Sequence, residues 1–200
     1  MLVLGASGGT GRAVVDVALR AGHVVTAVVR RGDAIPPAPG LTVAVFPVLT
    51  DLARVVAGHD AIISALGTHE RGPSTVCSDG IRAALLAMEE TNVRRLVAVS
   101  AHGAAESRDR SLYSLLLWAS VKHKMRDKEK MEALMCQSDV DWTIVRPPAL
   151  KDSPATGGYR AGNDLRITVT SSVSRADLAD FLVREAVRPA FVRQTPGIAA

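Results

Sequence analysis

A chain of 200 residues, 48% hydrophobic and 22% charged, can bury roughly 70% of its unfolded surface in one domain, so it needs neither disulfide nor metal to stay folded. Its two cysteines, Cys77 and Cys136, lack CxxC spacing and its five histidines lack HxH or HxxxH spacing, which argues against a metal site. Twenty-four Lys and Arg against 20 Asp and Glu leave a formal charge of +4, and the basic cluster Lys122, Lys124, Arg126, Lys128 and Lys130 is interleaved with Asp127, Glu129 and Glu132. That pattern reads as a solvated helix face rather than a nucleic-acid stripe, with a partner or phosphate site as the alternative. No apolar run approaches the ~18 residues of a membrane span, and no basic-then-apolar leader opens the chain. The expectations are therefore a cytoplasmic address, with neither nucleic acid nor membrane as partner.

In chain order, short apolar runs at residues 1–4, 23–29, 41–46, 61–65, 95–99 and 142–145 alternate with helical periods. Such alternation predicts βαβ units and a parallel sheet covered on both faces. The first run leaves four residues before Gly5, so the chain begins almost inside its central strand; either that strand is short or the true start lies upstream. The first helix carries Ala13, Val14, Val17, Ala18 and Ala21 on one side, with Arg12, Asp16 and Arg20 opposite, and stops at Gly22. A second helix, from about Ser74, buries Ile81, Ala84, Leu85 and Met88 and stops near Asn92. Ser174-Arg175-Ala176-Asp177 forms a capping box for a last helix that buries Leu178, Ala179, Leu182 and Val183. The Pro- and Gly-rich stretches 31–40 and 147–162 read as loops at the rim of a site. The fold class is α/β: a single doubly wound Rossmann-type domain over residues 1–200, with the late loop 147–165 forming part of a substrate pocket.

Between the first strand and first helix lies Gly5-Ala6-Ser7-Gly8-Gly9-Thr10-Gly11. In that context the glycines have separate tasks: Gly5 for the tight turn, Gly8 for backbone approach to a pyrophosphate, and Gly11 for close helix packing. Helix N-terminal amides then face the phosphates, and Ser7 and Thr10 add hydroxyls. An NAD-selective site places Asp or Glu at the end of the second strand. Here that strand ends in Arg30-Arg31, with no acid before Asp33. A guanidinium holds a 2′-phosphate bidentately, so NADPH is the expected cofactor, with Arg12 as a second donor.

These residues, with HDAIISALGT at 59–68, RRLVAVSAHG at 94–103, Lys128-x-x-x-Glu132 and DWTIVRPPAL at 141–150, give a chain that resembles the atypical short-chain dehydrogenase/reductases. Within them it is similar to the biliverdin reductase B (flavin reductase) group and the NmrA-like proteins. The resemblance implies that Leu66, Gly67 and Thr68 pass under the adenine ribose and pyrophosphate, and that Ser100 lies near the nicotinamide. It also implies that Pro147 and Pro148 line the nicotinamide pocket. Where this family often has an adenine-contacting Asp, the chain reads Phe46-Pro47-Val48, so Pro47 and Val48 would contribute apolar and backbone contacts. The Tyr-x-x-x-Lys of ordinary short-chain dehydrogenases is missing: if Lys128 takes the lysine place, Lys124 takes the tyrosine place. Tyr113 and Tyr159 do not restore it, and Ala149 stands where the flavin reductase group has a histidine.

The candidate catalytic residues are Ser100, His102 and Lys124, and His69 is a further candidate beside the 66–68 loop. His23 and His59 read as structural, and Trp118 with the 115–117 run reads as core or as a lid on the pocket. The expected function is an NADPH-dependent reductase passing hydride to a planar conjugated acceptor (flavin, quinone or tetrapyrrole), as a monomer or dimer. The alternative is a non-catalytic dinucleotide sensor of the NmrA kind, acting on a protein partner. A sugar-nucleotide epimerase is disfavoured, because the tyrosine and a C-terminal substrate domain are absent.

Overall fold

The structure, a computed structural model, describes residues 1–46, 48–49, 52–68, 72–107, 112–168 and 170–200, with backbone alone for 112–117, 119 and 120. Six parallel strands form its main sheet: β1 (Leu2–Leu4), β2 (Val25–Val29), β3 (Leu41–Val45), β4 (Ala61–Ser64), β5 (Arg95–Val99) and β6 (Asp141–Val145). Their order is β3-β2-β1-β4-β5-β6, the doubly wound Rossmann arrangement, which reverses direction between β1 and β4. The strands are apolar throughout because both faces are covered. Alternate side chains serve opposite layers: Val3, Val97 and Val99 face one core, while Leu2, Leu4, Leu96 and Ala98 face the other.

Helices α1 (Gly9–Arg20) and α5 (Arg175–Val187) close the first face. The second is closed by α2 (Ala53–Val56), α3 (Val76–Thr91) and α4 (Leu112–Cys136), the last kinked at Val121. α1 buries Val14, Val15 and Ala18, whereas Ala21, expected inside, is exposed beyond the helix end at Gly22 (φ +82°). α3 stops at Asn92, which is left-handed (φ 58°), and buries the expected Ile81, Ala84 and Met88 while Leu85 is half-buried.

Two expectations need correction. The 122–132 segment is not a uniformly solvated face: Lys122, Arg126 and Lys130 are exposed, but Asp127 and Glu132 are buried. Asp127 accepts from the backbone N–H groups of Cys77 (2.9 Å) and Ser78 (3.0 Å) and from the Ser78 hydroxyl (2.6 Å), so it caps α3 from a neighbouring helix. Nor is the stretch 147–162 loop throughout. It contains β7 (Ala149–Lys151) and β8 (Arg160–Gly162), which pair with β9 (Ser172–Ser174) and β10 (Gly197–Ala199) respectively. Its middle is tied to α5: Asp177 Oδ1 accepts from the N–H groups of Thr156 and Gly157, both at 2.9 Å. Ser174 caps α5 as expected, accepting from Asp177 N–H at 2.9 Å.

Among the described residues no helix is long and apolar enough to cross a membrane.

Candidate functional site

The loop between β1 and α1 is built as its glycines predict. Gly5 has φ +73°, and a Cβ there would lie 2.8 Å from the Ala65 carbonyl oxygen, so only glycine lets β1 turn this tightly against the end of β4. At Gly11 a Cβ would lie 2.1 Å from Gly5 O, so α1 rests directly on the loop. Gly8, the N-cap, is different: among the described residues Gly5 O, at 3.4 Å, is the one atom its Cβ would meet, and the backbone is open to approach. α1 has no side-chain cap and no acid in its first turn. Its N-terminal amides and positive dipole end are left for an external anion, whereas α3 and α5 are capped by Asp127 and Ser174.

A cleft of about 660 Å³ opens over this loop, at the carboxyl ends of β1, β2 and β4, where the strand order reverses. Gly5, Ser7, Gly8, Gly9 and Arg12 form its floor, and Leu66, Gly67 and Thr68 one wall. Arg30 stands at the end of β2, and Phe46, Val48, Leu49 and Val76 supply an apolar side. Among the described residues its lining includes two guanidiniums and no carboxylate. Arg12 is steadied by a 3.0 Å hydrogen bond to the Ala34 carbonyl, on the Gly32–Ala34 turn that follows β2. Asp33, the first acid after that strand, lies 3.7 Å from Arg31 rather than in the cleft. Thr10 is half-buried and Gly11 buried, and neither lines it. Pro47 and His69 lie outside the described residues.

The other candidate residues gather at the ends of β5 and β6. Ser100 N–H bonds to Val145 O (2.8 Å) and His102 N–H to Pro147 O (2.9 Å), which draws the two strand ends together. Pro147 and Pro148 are buried and His102 is half-buried. Ser100 is buried as well, and its hydroxyl donates to Glu132 Oε1. Glu132 in turn receives Arg146 Nη2 at 2.5 Å and Nε at 3.2 Å. Arg146 extends the network to the exposed Glu106 (2.9 Å), and that hydrogen bond holds the Glu106 carboxyl below its ordinary value. Lys128 donates to the Val99 carbonyl (2.9 Å), and Lys124 lies half-buried one turn earlier on α4. Trp118 anchors the same helix through a 2.9 Å bond from its indole N–H to Gly103 O.

Of the tyrosines, the side chain of Tyr113 is outside the description. Tyr159 donates to Asp180 (2.6 Å), and burial, reinforced by that carboxylate, pushes its hydroxyl up to about 12. It lines a different depression, beside Phe181 on α5. His59 shares hydrogen bonds with Thr26 Oγ1 (2.8 Å) and Val56 O (3.2 Å), a structural role.

Sequence reasoning placed Glu132 on a solvated helix face and assigned no role to Arg146 or Glu106. The Lys128/Glu132 spacing of one helical turn was the available signal, because it puts both side chains on one face of α4.

Over residues 5–189 the sequence matches a family described as NAD(P)H-binding. The chain belongs to the NAD(P)H-binding family. Solved structures of similar fold include the anaerobilin reductase ChuY from Escherichia coli O157:H7, 25% identical, with a TM-score of 0.81 over 98% of this chain and 95% of that one. A candidate NADH-flavin reductase from Streptococcus pneumoniae is 24% identical, with a TM-score of 0.82 over 99% and 97%. A wide-type short-chain dehydrogenase/reductase from Veillonella parvula, solved with NADP, is 16% identical, with a TM-score of 0.84 over 100% and 93%. A glycine loop, a helix N-terminus and a cleft at the sheet's switch point are the parts with which doubly wound folds in general bind dinucleotides.

Proposed function

We propose that this protein is an NADPH-dependent reductase that transfers hydride to a planar conjugated acceptor such as a flavin, quinone or tetrapyrrole. The observation that carries the reading is the charge of the cleft, where Arg12 and Arg30 line a site without a carboxylate among the described residues. Both guanidiniums suit a 2′-phosphate, and neither leaves an acceptor for a ribose 2′-OH. The amides around Gly8 hold the pyrophosphate, and Phe46, Val48 and Leu66 enclose the adenine. Ser100, Pro147 and Pro148 wall the nicotinamide end, and the bound dinucleotide supplies the hydride.

The acceptor class follows from the proton donors. Reduction of a simple ketone needs an acid within hydrogen-bond reach of the carbonyl oxygen. At the strand ends the hydroxyl of Ser100 donates to Glu132 and the ammonium of Lys128 gives one of its three N–H groups to Val99 O, the phenol of Tyr159 is bound to Asp180 elsewhere, and Lys124 and His102 remain as the candidate donors to be tested. A conjugated acceptor spreads the incoming charge over its rings and takes its proton from solvent afterwards, so the protein's task is to hold two flat rings together. The similarity to an anaerobilin reductase and to a candidate flavin reductase supports the same class.

The test is NADPH oxidation in the presence of FMN, a quinone and simple ketones. Turnover with the first two, little pH dependence near neutrality and negligible ketone reduction are expected, and Lys124→Ala should keep most of the activity. A ~10³-fold loss in that variant with binding intact would make Lys124 the proton donor and end the acid-free mechanism. Tight binding without turnover of any acceptor would favour a sensor.

A further inference from the structure

The first turn of α5 stands beside the first turn of α1, and Arg175 reaches across the gap. A Cβ placed on Gly9 would lie 3.0 Å from Arg175 Nε and 3.1 Å from its Cδ, so the side chain lies against the glycine loop. This is a costly position for a cation. The α1 N-terminus is already the positive end of a helix dipole with no acid in its first turn, and Arg12 and Arg30 line the adjoining cleft. One carboxylate holds Arg175 there: Asp152 Oδ1, 2.6 Å from Nη1. The pair is unequal, with Arg175 26% exposed and Asp152 85% exposed. Asp152 follows β7 directly, at the start of the segment that Asp177 ties down at Thr156 and Gly157.

We propose that Arg175 is a ligand of the dinucleotide pyrophosphate, and that Asp152 competes with the phosphates for its guanidinium. The inference rests on reading the cleft as the NAD(P)H site. Two positive features meet at Gly9, the α1 amides and Arg175, and a pyrophosphate brings the two negative charges that offset them. A planar guanidinium meets phosphate oxygens bidentately, a stronger arrangement than its contact with one exposed carboxylate oxygen. Asp152 and the phosphates draw on the same cation, so cofactor binding and the position of the 152–158 segment are linked.

Calorimetric titration of wild type, Arg175→Ala, Arg175→Lys and Asp152→Asn with NADPH, NADH and adenosine 2′-monophosphate tests this. Arg175→Ala and Asp152→Asn break the same ion pair, yet the proposal assigns them different outcomes. Arg175→Ala should weaken NADPH and NADH by the same factor, about ten- to a hundredfold for a charged hydrogen-bond donor, and leave adenosine 2′-monophosphate unchanged. Arg175→Lys should recover part of the loss. Asp152→Asn should bind both dinucleotides as tightly as wild type or more tightly. Equal weakening by Arg175→Ala and Asp152→Asn would overturn the proposal, since Arg175 would then act only through the loop. Loss confined to NADPH would overturn it by moving the contact to the 2′-phosphate, and so would an Arg175→Ala protein that binds like wild type. Wild-type protein that binds neither dinucleotide would instead refute the reading of the cleft, and the proposal with it.

Discussion

Gly8 and Gly11 sit three residues apart in one loop, yet an added methyl group meets different surroundings at each. At Gly11 it would collide with Gly5 O at 2.1 Å and Ala6 Cα at 2.7 Å, both backbone atoms that cannot swing aside. At Gly8 the backbone is extended (φ −74°) and the space is open on the cleft side. Gly11→Ala should therefore destabilise the protein by about 3 kcal/mol or more through overpacking. Gly8→Val should unfold near the wild-type denaturant midpoint and fail to bind NADPH. Denaturant titration paired with calorimetry checks both, and a Gly8→Val protein with wild-type affinity would show that the phosphates lie elsewhere. Arg30 tests selectivity at the same scale. It is exposed at the end of β2, and among the described residues it makes no ion pair that would have to be broken first. Arg30→Glu should abolish or reverse a preference for NADPH worth roughly 2–3 kcal/mol. Equal wild-type affinities for NADPH and NADH would remove the basis for this expectation.

The middle of the segment between β7 and β8 is tied to the helix it overlies by one buried acid, Asp177. Burial alone would raise the Asp177 carboxyl, but hydrogen bonds from Gly157 N–H, the Ser174 hydroxyl and the Thr156 N–H and hydroxyl hold it below its ordinary value. Because the folded value is depressed, its contribution is complete above the unfolded aspartate pKa of about 3.9 and is lost as pH falls through the folded value. Asp177→Asn should lower unfolding free energy by about 1–3 kcal/mol near neutrality, since the amide points a donor at groups that are themselves donors. Denaturant unfolding of both proteins as a function of pH should show the gap close at strongly acid pH. A gap as wide at pH ~2 as at neutrality would mean that the carboxylate's charge is not what anchors the segment.

Across the molecule, the two ends of the sheet carry different buried charge networks. At the amino end of β5, Arg95 pairs with Glu185 of α5 at 2.9 Å, and Glu185 also accepts from Thr143, Ala190 and Phe191. Burial lowers the Arg95 guanidinium from its usual value, with Glu185 opposing the shift. At the carboxyl end Glu132 joins Arg146 and Ser100, beside the candidate site. Removing one partner of a buried pair leaves a charge uncompensated, at a cost of about 3–5 kcal/mol. Glu185→Gln should show a stability loss of that order with NADPH affinity unchanged under conditions where it is folded. If affinity falls in step with stability, the two ends are not separable in this way.

The six strands, the glycine loop and the basic end of β2 were legible in the sequence because each follows from local chemistry. Apolar runs covered on both faces, glycines at a strand–helix turn and an arginine where an acid would select NAD need no distant contact to be recognised. The same holds for the Ser174 cap, whose acceptor and donor lie three residues apart. Partnerships between remote elements were not legible. Asp127 looked like part of a solvated charge run, and only the packing of α4 on α3 aims it at the amides of Cys77 and Ser78. Glu132 reaches Arg146 and Ser100, and Arg175 reaches Gly9 and Asp152, through contacts between segments 14 to 166 residues apart. Sequence alone determined the layers and the glycine loop, whose spacing is local. Tertiary structure decided which charged groups are buried, what neutralises them and which arginine stands over the loop, because those depend on which helix faces meet.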